Sequence, residues 1–414
     1  MIHNSKIKVA VALSGGVDSA AVAKILKDEG YDVIGLFLKM WKHDGVDDGL
    51  LESRKVAEFL KIPFYEIDAE AEFKRVVVEY FVSEYKNLRT PNPCTICNPE
   101  IKFKLLIGEA EKLGCAKLAT GHYARIKDSE TTNNQGAITN KYPNSNYSNK
   151  KQFNNTTIYH LLAGFDNSKD QSYMLYRLNQ EQLSKVIFPL GELTKKEVRE
   201  LAKKWDLPVA EKKESQEICF LQNTDYREFL KNEVKDSCIE SGDIVDTGGN
   251  IVGRHEGLIN YTIGQRRGIN QQLKNRETKE LKNVNTVIPS DSQVLREAEE
   301  SLYDKKPLYV AGFDRSKNRL IVGEDSEIYK KEMVVSNLSW INVPTHYPLP
   351  ATNLSVKIRS QAKSVGCKIK NSGLRIKQGT IKVIFDEPQR AVTPGQSAVF
   401  FIGDEVIGGG TIEK

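Results

Sequence analysis

Cysteine is scarce in this chain, with six among 414 residues. That excludes a secreted scaffold stapled by disulfides, and it turns attention to thiols that do chemistry or bind metal. Long apolar runs are missing as well. No stretch of 18 apolar residues occurs, so no transmembrane helix is expected. Charge of one sign is not in large excess: 60 Lys and Arg face 55 Asp and Glu, a net charge of +5. Such a balance permits a nucleic-acid partner without demonstrating one, because phosphate affinity follows clustering rather than the total. The opening "MIHNSKIKVAVALSGG" runs from a short apolar part straight into Gly-Gly with no small-residue cleavage site. It is a poor secretion signal, and a cytoplasmic protein is expected.

What is present is an alternation. "KIKVAVAL" (6–13), "DVIGLFL" (32–38), "PFYEIDA" (63–69) and "AKLATGH" (116–122) have the texture of buried strands. Between them lie helical patterns: Ser19–Glu29, "LESRKVAEFLKI", "AEFKRVVVEYFVSEYKN" and "IKFKLLIGEAEKLG", the last closed by Gly114. Strands and helices alternating at this spacing predict a parallel sheet covered on both faces. From about 129 to 157 the chain is rich in Asn, Ser and Thr, and reads as a surface insertion between hairpin strands "ATGHYARI" and "IYHLLAG". "LTKKEVRELAKKWDLP" predicts an amphipathic helix whose Thr194 and Glu197 have capping-box spacing. Residues 240–290 are Gly-rich and irregular. From Leu308 onward, short alternating segments including "LYVAGF" and "RLIVGE" suggest an antiparallel barrel. Because 414 residues exceed one core, three domains are expected: a catalytic α/β domain over 1–209, a small central domain over 210–291 and a β-barrel over 292–414.

"VALSGGVDSA" places Ser14-Gly15-Gly16-Val17-Asp18-Ser19 between a strand and a helix. The glycines allow a tight turn and close ligand approach, and the free N–H groups of the helix start face an anion. Ser14 and Ser19 can donate to phosphate oxygens, while Asp18 would hold Mg²⁺ or orient the loop. The Gly-Lys-Ser/Thr ending of a Walker A loop is absent. The plain alternative is an ordinary Gly-Gly turn.

"PNPCTICNPEIKF" (91–103) holds two cysteines three residues apart. Cys97 precedes Asn98, Pro99 and Glu100, which together read as a helix start. A thiol there would be acidified by the helix dipole, so Cys97 is expected to be reactive. Cys94 is expected in the preceding loop. Cys219, in "ESQEICFL", suits either a buried structural role or chemistry. Cys115 reads as core, whereas Cys238 and Cys367 sit in surface contexts with no partner in view. A zinc site would need a second closely spaced pair, which is missing. An iron–sulfur cluster on Cys94, Cys97 and Cys219 and a sulfur relay between Cys97 and Cys219 both remain open.

"SGGVDS" after the first strand resembles the PP-loop ATP pyrophosphatases. Joined in order with "TPNPCTICNPEIKF", "ATGHYAR", "KDQSYML", "ESQEICF" and "YTIGQRRGI", it resembles the bacterial tRNA-specific 2-thiouridylase family along nearly the whole chain. The resemblance implies a HUP-like, Rossmann-like catalytic domain that uses ATP with Mg²⁺ to adenylate the C2 oxygen of the wobble uridine (U34) in the tRNA anticodon stem-loop. It implies a persulfide on Cys219, supplied by a sulfur-relay protein or cysteine desulfurase. Cys97 would be the assisting nucleophile, able to resolve the persulfide into a Cys97–Cys219 disulfide. Matching the family motif implies ATP contacts at Ala12, Leu13, Ser14, Gly15, Gly16, Val17, Asp18, Ser19, Leu38 and Gly121. It implies tRNA contacts at Asn92, Pro93, Cys94, His122, Lys169, Asp170, Gln171, Arg359, Ser360 and Gln396. Leu38 stands where the family often has Met, and Arg359-Ser360-Gln361 departs from an Arg-Tyr-Arg-like run. Another PP-loop ligase acting on a small molecule would explain the ATP loop but leave the cysteines without work.

Overall fold

The computed structural model describes residues 6–41, 48–131, 156–213, 218–221, 225–233, 240–269, 307–341, 353–370 and 379–413. Most of the Asn-rich insertion and Cys238 lie outside them. The first strands are β1 (Lys8–Ala12), β2 (Asp32–Lys39), β3 (Phe64–Asp68) and β4 (Lys117–Ala119). After a hairpin of β5 (Ala124–Thr131) and β6 (Thr156–Ala163) comes β7 (Val186–Ile187). The order β3-β2-β1-β4-β7 makes an all-parallel sheet. Strand alternation explains why β1 is apolar throughout: Val9 and Val11 enter the core on one face, and Ala10 enters the core on the other. Helix α1 (Val17–Asp28) lays Ala20, Ala21, Val22 and Ala23 against the sheet, fully buried. Such small side chains let the helix approach closely. Helix α2 (Asp48–Leu60) packs beside it.

The cysteine segment forms one continuous helical path: an α-turn over Pro93–Cys97, a π-helical stretch over Asn98–Phe103 and an α-helix over Lys104–Lys112. Here the expected helix start is corrected. The chain offers two Asn-Pro pairs, and the helix begins at the first, Asn92-Pro93, rather than at Asn98-Pro99. Pro99 lacks the N–H that an α-helix would use, and its ring crowds the preceding turn. The wider π turn accommodates both without ending the helix. Burial of Thr95, Cys97, Ile101 and Phe103 holds that path against the core.

The strands beyond residue 240 also sort differently from expectation. β8 (Gly242–Asp246) and β9 (Ile251–His255) form a sheet with β10 (Tyr309–Asp314) and β11 (Arg319–Gly323), in the order β10-β11-β8-β9. β11 pairs parallel with β8. "LYVAGF" and "RLIVGE" therefore belong to the central module and not to the barrel. Their alternation is common to both sheets, so pattern alone could not assign them. The barrel comprises β12 (Tyr329–Trp340), β13 (Leu354–Lys357), β14 (Val365–Lys370), β15 (Ile381–Arg390), β16 (Ser397–Ile402) and β17 (Glu405–Ile412). Neighbours run β12-β15-β14-β13-β16-β17, and β12 pairs back onto β17 to close it. Val335, Val356, Phe385 and Phe400 fill its interior. Cys367, read from sequence as a surface residue, faces that interior on β14, where burial pushes its thiol up to about 12. Among the described residues no helix is long and apolar enough to cross a membrane.

Candidate active site

The Ser-Gly-Gly loop leaves the carboxyl end of β1, beside β4. At this point the chain's connections depart to opposite sides of the sheet, and crevices form there in open α/β folds. Gly15 has φ +73°, and a Cβ on it would lie 2.5 Å from the Gly49 carbonyl oxygen. Both conformation and space thus demand glycine. Gly15→Ala is expected to displace the loop and reduce the ATP-dependent pyrophosphate release implied by the family resemblance at least tenfold, checked by a coupled pyrophosphate assay. The loop is pinned internally: Ser19 Oγ donates to the Gly16 carbonyl (3.0 Å) and accepts from the Ser14 amide (3.2 Å). Ser14 itself is exposed at the crevice. Gly121 packs on the helix start, where a Cβ would sit 3.0 Å from that of Asp18. Leu38 closes the carboxyl end of β2 inside the core.

Asp18 is held by two side chains from later in the chain. Lys195 Nζ donates to both its carboxylate oxygens at 2.7 Å, and Tyr123 Oη donates to Oδ1 at 2.8 Å. Lys195 is only 7% exposed. It reaches the loop because Thr194 and Glu197 form the predicted capping box and fix the start of its helix, while its own amide donates to Asp166 (2.9 Å). Sequence reasoning found the cap but missed the lysine it positions.

The thiols gather one step away. Gly121 touches the loop, and the next residue, His122, lies beside the cysteine helix. Its ring sits 5.6 Å from that of Phe103 and 5.9 Å from that of Phe188, and its Nδ1 shares a 2.7 Å hydrogen bond with Thr120. Burial and then the Lys102 charge push His122 down to about 3, so its imidazole is neutral. Cys97 is 3% exposed, and burial pushes its thiol up to about 12. The expected acidification by a helix terminus is therefore overturned, because the residue near the positive end of the helix is Cys94. Cys219 has exposed surface but neighbours enough that burial also raises its thiol. Its neighbour Phe220 anchors it in an aromatic cluster with Trp41, Phe73, Phe81 and Phe229. Cys94, Cys97 and Cys219 are all free thiols, and a charge on Cys219 raises Cys97. Among the described residues no three His, Cys, Asp or Glu side chains are arranged to hold a metal ion.

The remaining candidates divide. Cys94, His122, Lys169 and Ser360 keep accessible surface. Asn92 and Pro93 are buried at the helix start, where Asn92 O accepts from the Thr95 amide and hydroxyl. Asp170 accepts from the Gly164 and Ser172 amides and pairs with Lys357 of the barrel (3.2 Å). Gln171 Oε1 accepts from the Tyr123 amide. Arg359 donates to the carbonyls of Arg390 (2.6 Å) and Ala391 (2.9 Å). Gln396 donates to the Thr90 carbonyl (2.9 Å), so the barrel grips the loop leading into the cysteine helix. Arg89 adds a second tie, to Glu413 (2.6 Å).

A parallel sheet with a phosphate-cradling loop at its switch point, flanked by a cluster of thiols, defines a nucleotide-activating enzyme of the PP-loop class. Comparison with known proteins narrows this. The tRNA methyl transferase HUP domain matches residues 7–223, the tRNA methyl transferase PRC-barrel domain matches 227–281, and the aminomethyltransferase beta-barrel domain matches 330–412. The tRNA-specific 2-thiouridylase MnmA of Geobacter metallireducens is 38% identical, over 100% of this chain and 98% of its own length. MnmA 1 of Caldanaerobacter subterraneus subsp. tengcongensis is 39% identical and MnmA of Clostridioides difficile 36%, each over 98% of both chains. The chain belongs to the tRNA-specific 2-thiouridylase MnmA family.

Proposed function

We propose that this protein catalyses ATP-dependent 2-thiolation of the wobble uridine of tRNA. One observation carries the mechanism: Gly121 and His122, adjacent in the chain, join the phosphate loop to the thiol cluster, so activation and sulfur delivery meet at one crevice. The uridine C2 oxygen attacks the α-phosphorus of ATP, and pyrophosphate leaves. Adenylation turns a very poor leaving group into AMP. Loop amides and Ser14 hold the phosphates. Mg²⁺ bound to the phosphates would shield the departing charge, and the carboxylate of Asp18, within the loop, would help to hold it. The terminal sulfur of a Cys219 persulfide then attacks C2 and displaces AMP, leaving uridine joined to Cys219 through two sulfurs. The Cys97 thiolate attacks the Cys219 sulfur. The bond between the two sulfurs breaks, the 2-thiouridine sulfur departs with its electron pair, and a Cys97–Cys219 disulfide remains for an external thiol to reduce.

This reading makes tRNA and a sulfur-donating protein the partners and the cytoplasm the place of work. The test is incubation of the full chain with ATP, an unmodified tRNA transcript and a persulfide donor, followed by nucleoside mass spectrometry. 2-Thiouridine that depends on both ATP and donor is expected. ATP cleavage without 2-thiouridine would sink the proposal.

A further inference from the structure

A strap of residues 87–91 joins the helix Glu79–Lys86 to the cysteine helix, and the other domains hold it. Leu88 has φ +55°, a left-handed backbone that a bulky residue keeps only where its surroundings impose it. Its side chain packs against both the catalytic core and the core of the central module. Thr90 donates its amide to the Pro394 carbonyl (2.9 Å) and accepts the Gln396 side-chain amide on its own carbonyl (2.9 Å). Its hydroxyl meets that of Thr262 in the central module (3.2 Å). Gly395 lies so close that a Cβ there would sit 2.9 Å from the Thr90 nitrogen and oxygen. Within this strap stands Arg89. Its Nε donates to Glu84 on the preceding helix (2.8 Å). Its two terminal nitrogens reach Glu413, directly after β17: Nη1 donates to Oε2 at 2.6 Å and Nη2 to Oε1 at 3.4 Å. Glu413 is fixed in turn, because its amide donates to the Val334 carbonyl (2.8 Å) and its carboxylate accepts from Ser336. The Arg89 side chain is 14% exposed. A guanidinium fork on a carboxylate, largely out of water, fixes direction as well as distance.

We propose that Arg89 is a positioning residue for sulfur transfer: by bridging Glu84 to Glu413 it anchors the start of the cysteine helix to the barrel, and so sets where Cys94 and Cys97 stand. The inference rests on the thiolation reading above. The helix begins at Asn92-Pro93, directly after the strap, so a shift of Arg89 is carried into the thiols. The barrel continues the same line of contact into the helix. Ser397 Oγ lies 3.5 Å from Thr95 Oγ1, both buried, and Tyr173 Oη donates to the Ser397 carbonyl (2.8 Å). On the catalytic side, Asn98 Nδ2 donates to the Met174 carbonyl (2.9 Å). Sulfur transfer requires thiols from distant segments to meet, and a misplacement of about 1 Å costs on the order of a hundredfold. The phosphate loop is pinned by its own hydrogen bonds, Ser19 to Gly16 and Ser14 to Ser19, so ATP cleavage should not depend on Arg89.

The test compares full-length wild type, Arg89→Gln, Glu413→Gln, the double variant and Arg89→Lys by two readouts. The first is iodoacetamide alkylation without ATP or tRNA, followed thiol by thiol by peptide mass spectrometry. Cys115 beside β4 and Cys367 in the barrel interior are buried and serve as internal controls. Losing the anchor eases local opening, so Cys97 alkylation rises about tenfold in Arg89→Gln and Glu413→Gln while both controls stay within about twofold. The second readout is single-turnover thiolation against tRNA and ATP concentration. Its rate at saturating tRNA falls on the order of tenfold, while half-saturating ATP stays within about twofold. The double variant goes no more than about twofold beyond Arg89→Gln, because both changes remove one link. Arg89→Lys keeps the charge with one donor group and falls between wild type and Arg89→Gln in both readouts. Unchanged Cys97 alkylation in the two single variants overturns the proposal, as do effects that multiply in the double. A rise shared by Cys97, Cys115 and Cys367 also overturns it, marking general loosening. So does a thiolation loss that vanishes at saturating tRNA, which would make Arg89 a tRNA contact. If Arg89→Gln does not fold, Glu413→Gln decides on the same terms. Selective exposure of Cys97 in the variants, with a wild type that makes no 2-thiouridine, would defeat the thiolation reading and leave the anchoring of the cysteine helix standing.

Discussion

Cys219→Ser is expected to reduce 2-thiouridine formation on the order of a thousandfold or more while leaving ATP cleavage in place. A serine hydroxyl cannot carry the transferable sulfur, so no residual chemistry at that position replaces it. The fold should tolerate the change. Cys219 has exposed surface, and its segment is held by its neighbour Phe220, whose ring packs 5.2 Å from Phe81 and 5.8 Å from Phe73. In the proposed scheme adenylation depends on the loop at β1, which the substitution does not touch, so pyrophosphate release should persist without thiolation. Pyrophosphate and 2-thiouridine measured in one reaction separate the two half-reactions. Substantial thiolation by the variant would remove Cys219 from the persulfide role.

Lys195→Met should uncouple the other half. The Asp18 carboxylate lies in the loop proposed to receive the phosphates, and the two 2.7 Å contacts from Lys195 neutralise it there. Without the ammonium, Asp18 repels the triphosphate. ATP-dependent pyrophosphate release is expected to fall on the order of a hundredfold, an electrostatic penalty of about 2.7 kcal/mol at 1.36 kcal/mol per decade. Stability should also drop. Breaking a buried pair costs several kcal/mol, but the Asp18 side chain is 30% exposed, so roughly 1–3 kcal/mol is the fair expectation. Adding Asp18→Asn removes the unpaired charge and should recover much of that loss, with thermal unfolding of both variants giving the coupling. A double variant no more stable than Lys195→Met would mean that lost packing around Lys195, not the charge pair, is responsible.

Much of the catalytic domain was legible because its signals are local. A run such as Val9-Ala10-Val11 is buried on both sides, as the strands of a covered parallel sheet are. Gly15 declares a turn, and Thr194 with Glu197 declares a helix start through hydrogen bonds that span three residues. The failures came where two local signals were equal or where the deciding partner was remote. Asn92-Pro93 and Asn98-Pro99 are the same cap signal, and only packing of Ile101 and Phe103 into the core selects the first. Strands of the central module and of the barrel share one alternation, and hydrogen bonding of β11 to β8 assigns them. The position of Cys367 depends on which face of β14 turns inward, a question of barrel closure.

The sequence alone settled the family, through a motif order running along nearly the whole chain, and it offered a Ser-Gly-Gly loop after the first strand and two cysteines as candidates. Those are properties of residue type and spacing, and they survive without coordinates of any partner. Tertiary structure decided the electrostatics. It placed Lys195 on Asp18, buried Cys97 where the thiol is pushed up, and surrounded His122 so that burial pushes its imidazole down. The reason is that charge and desolvation act through space, between residues as far apart as positions 18 and 195, and no window along the chain contains both.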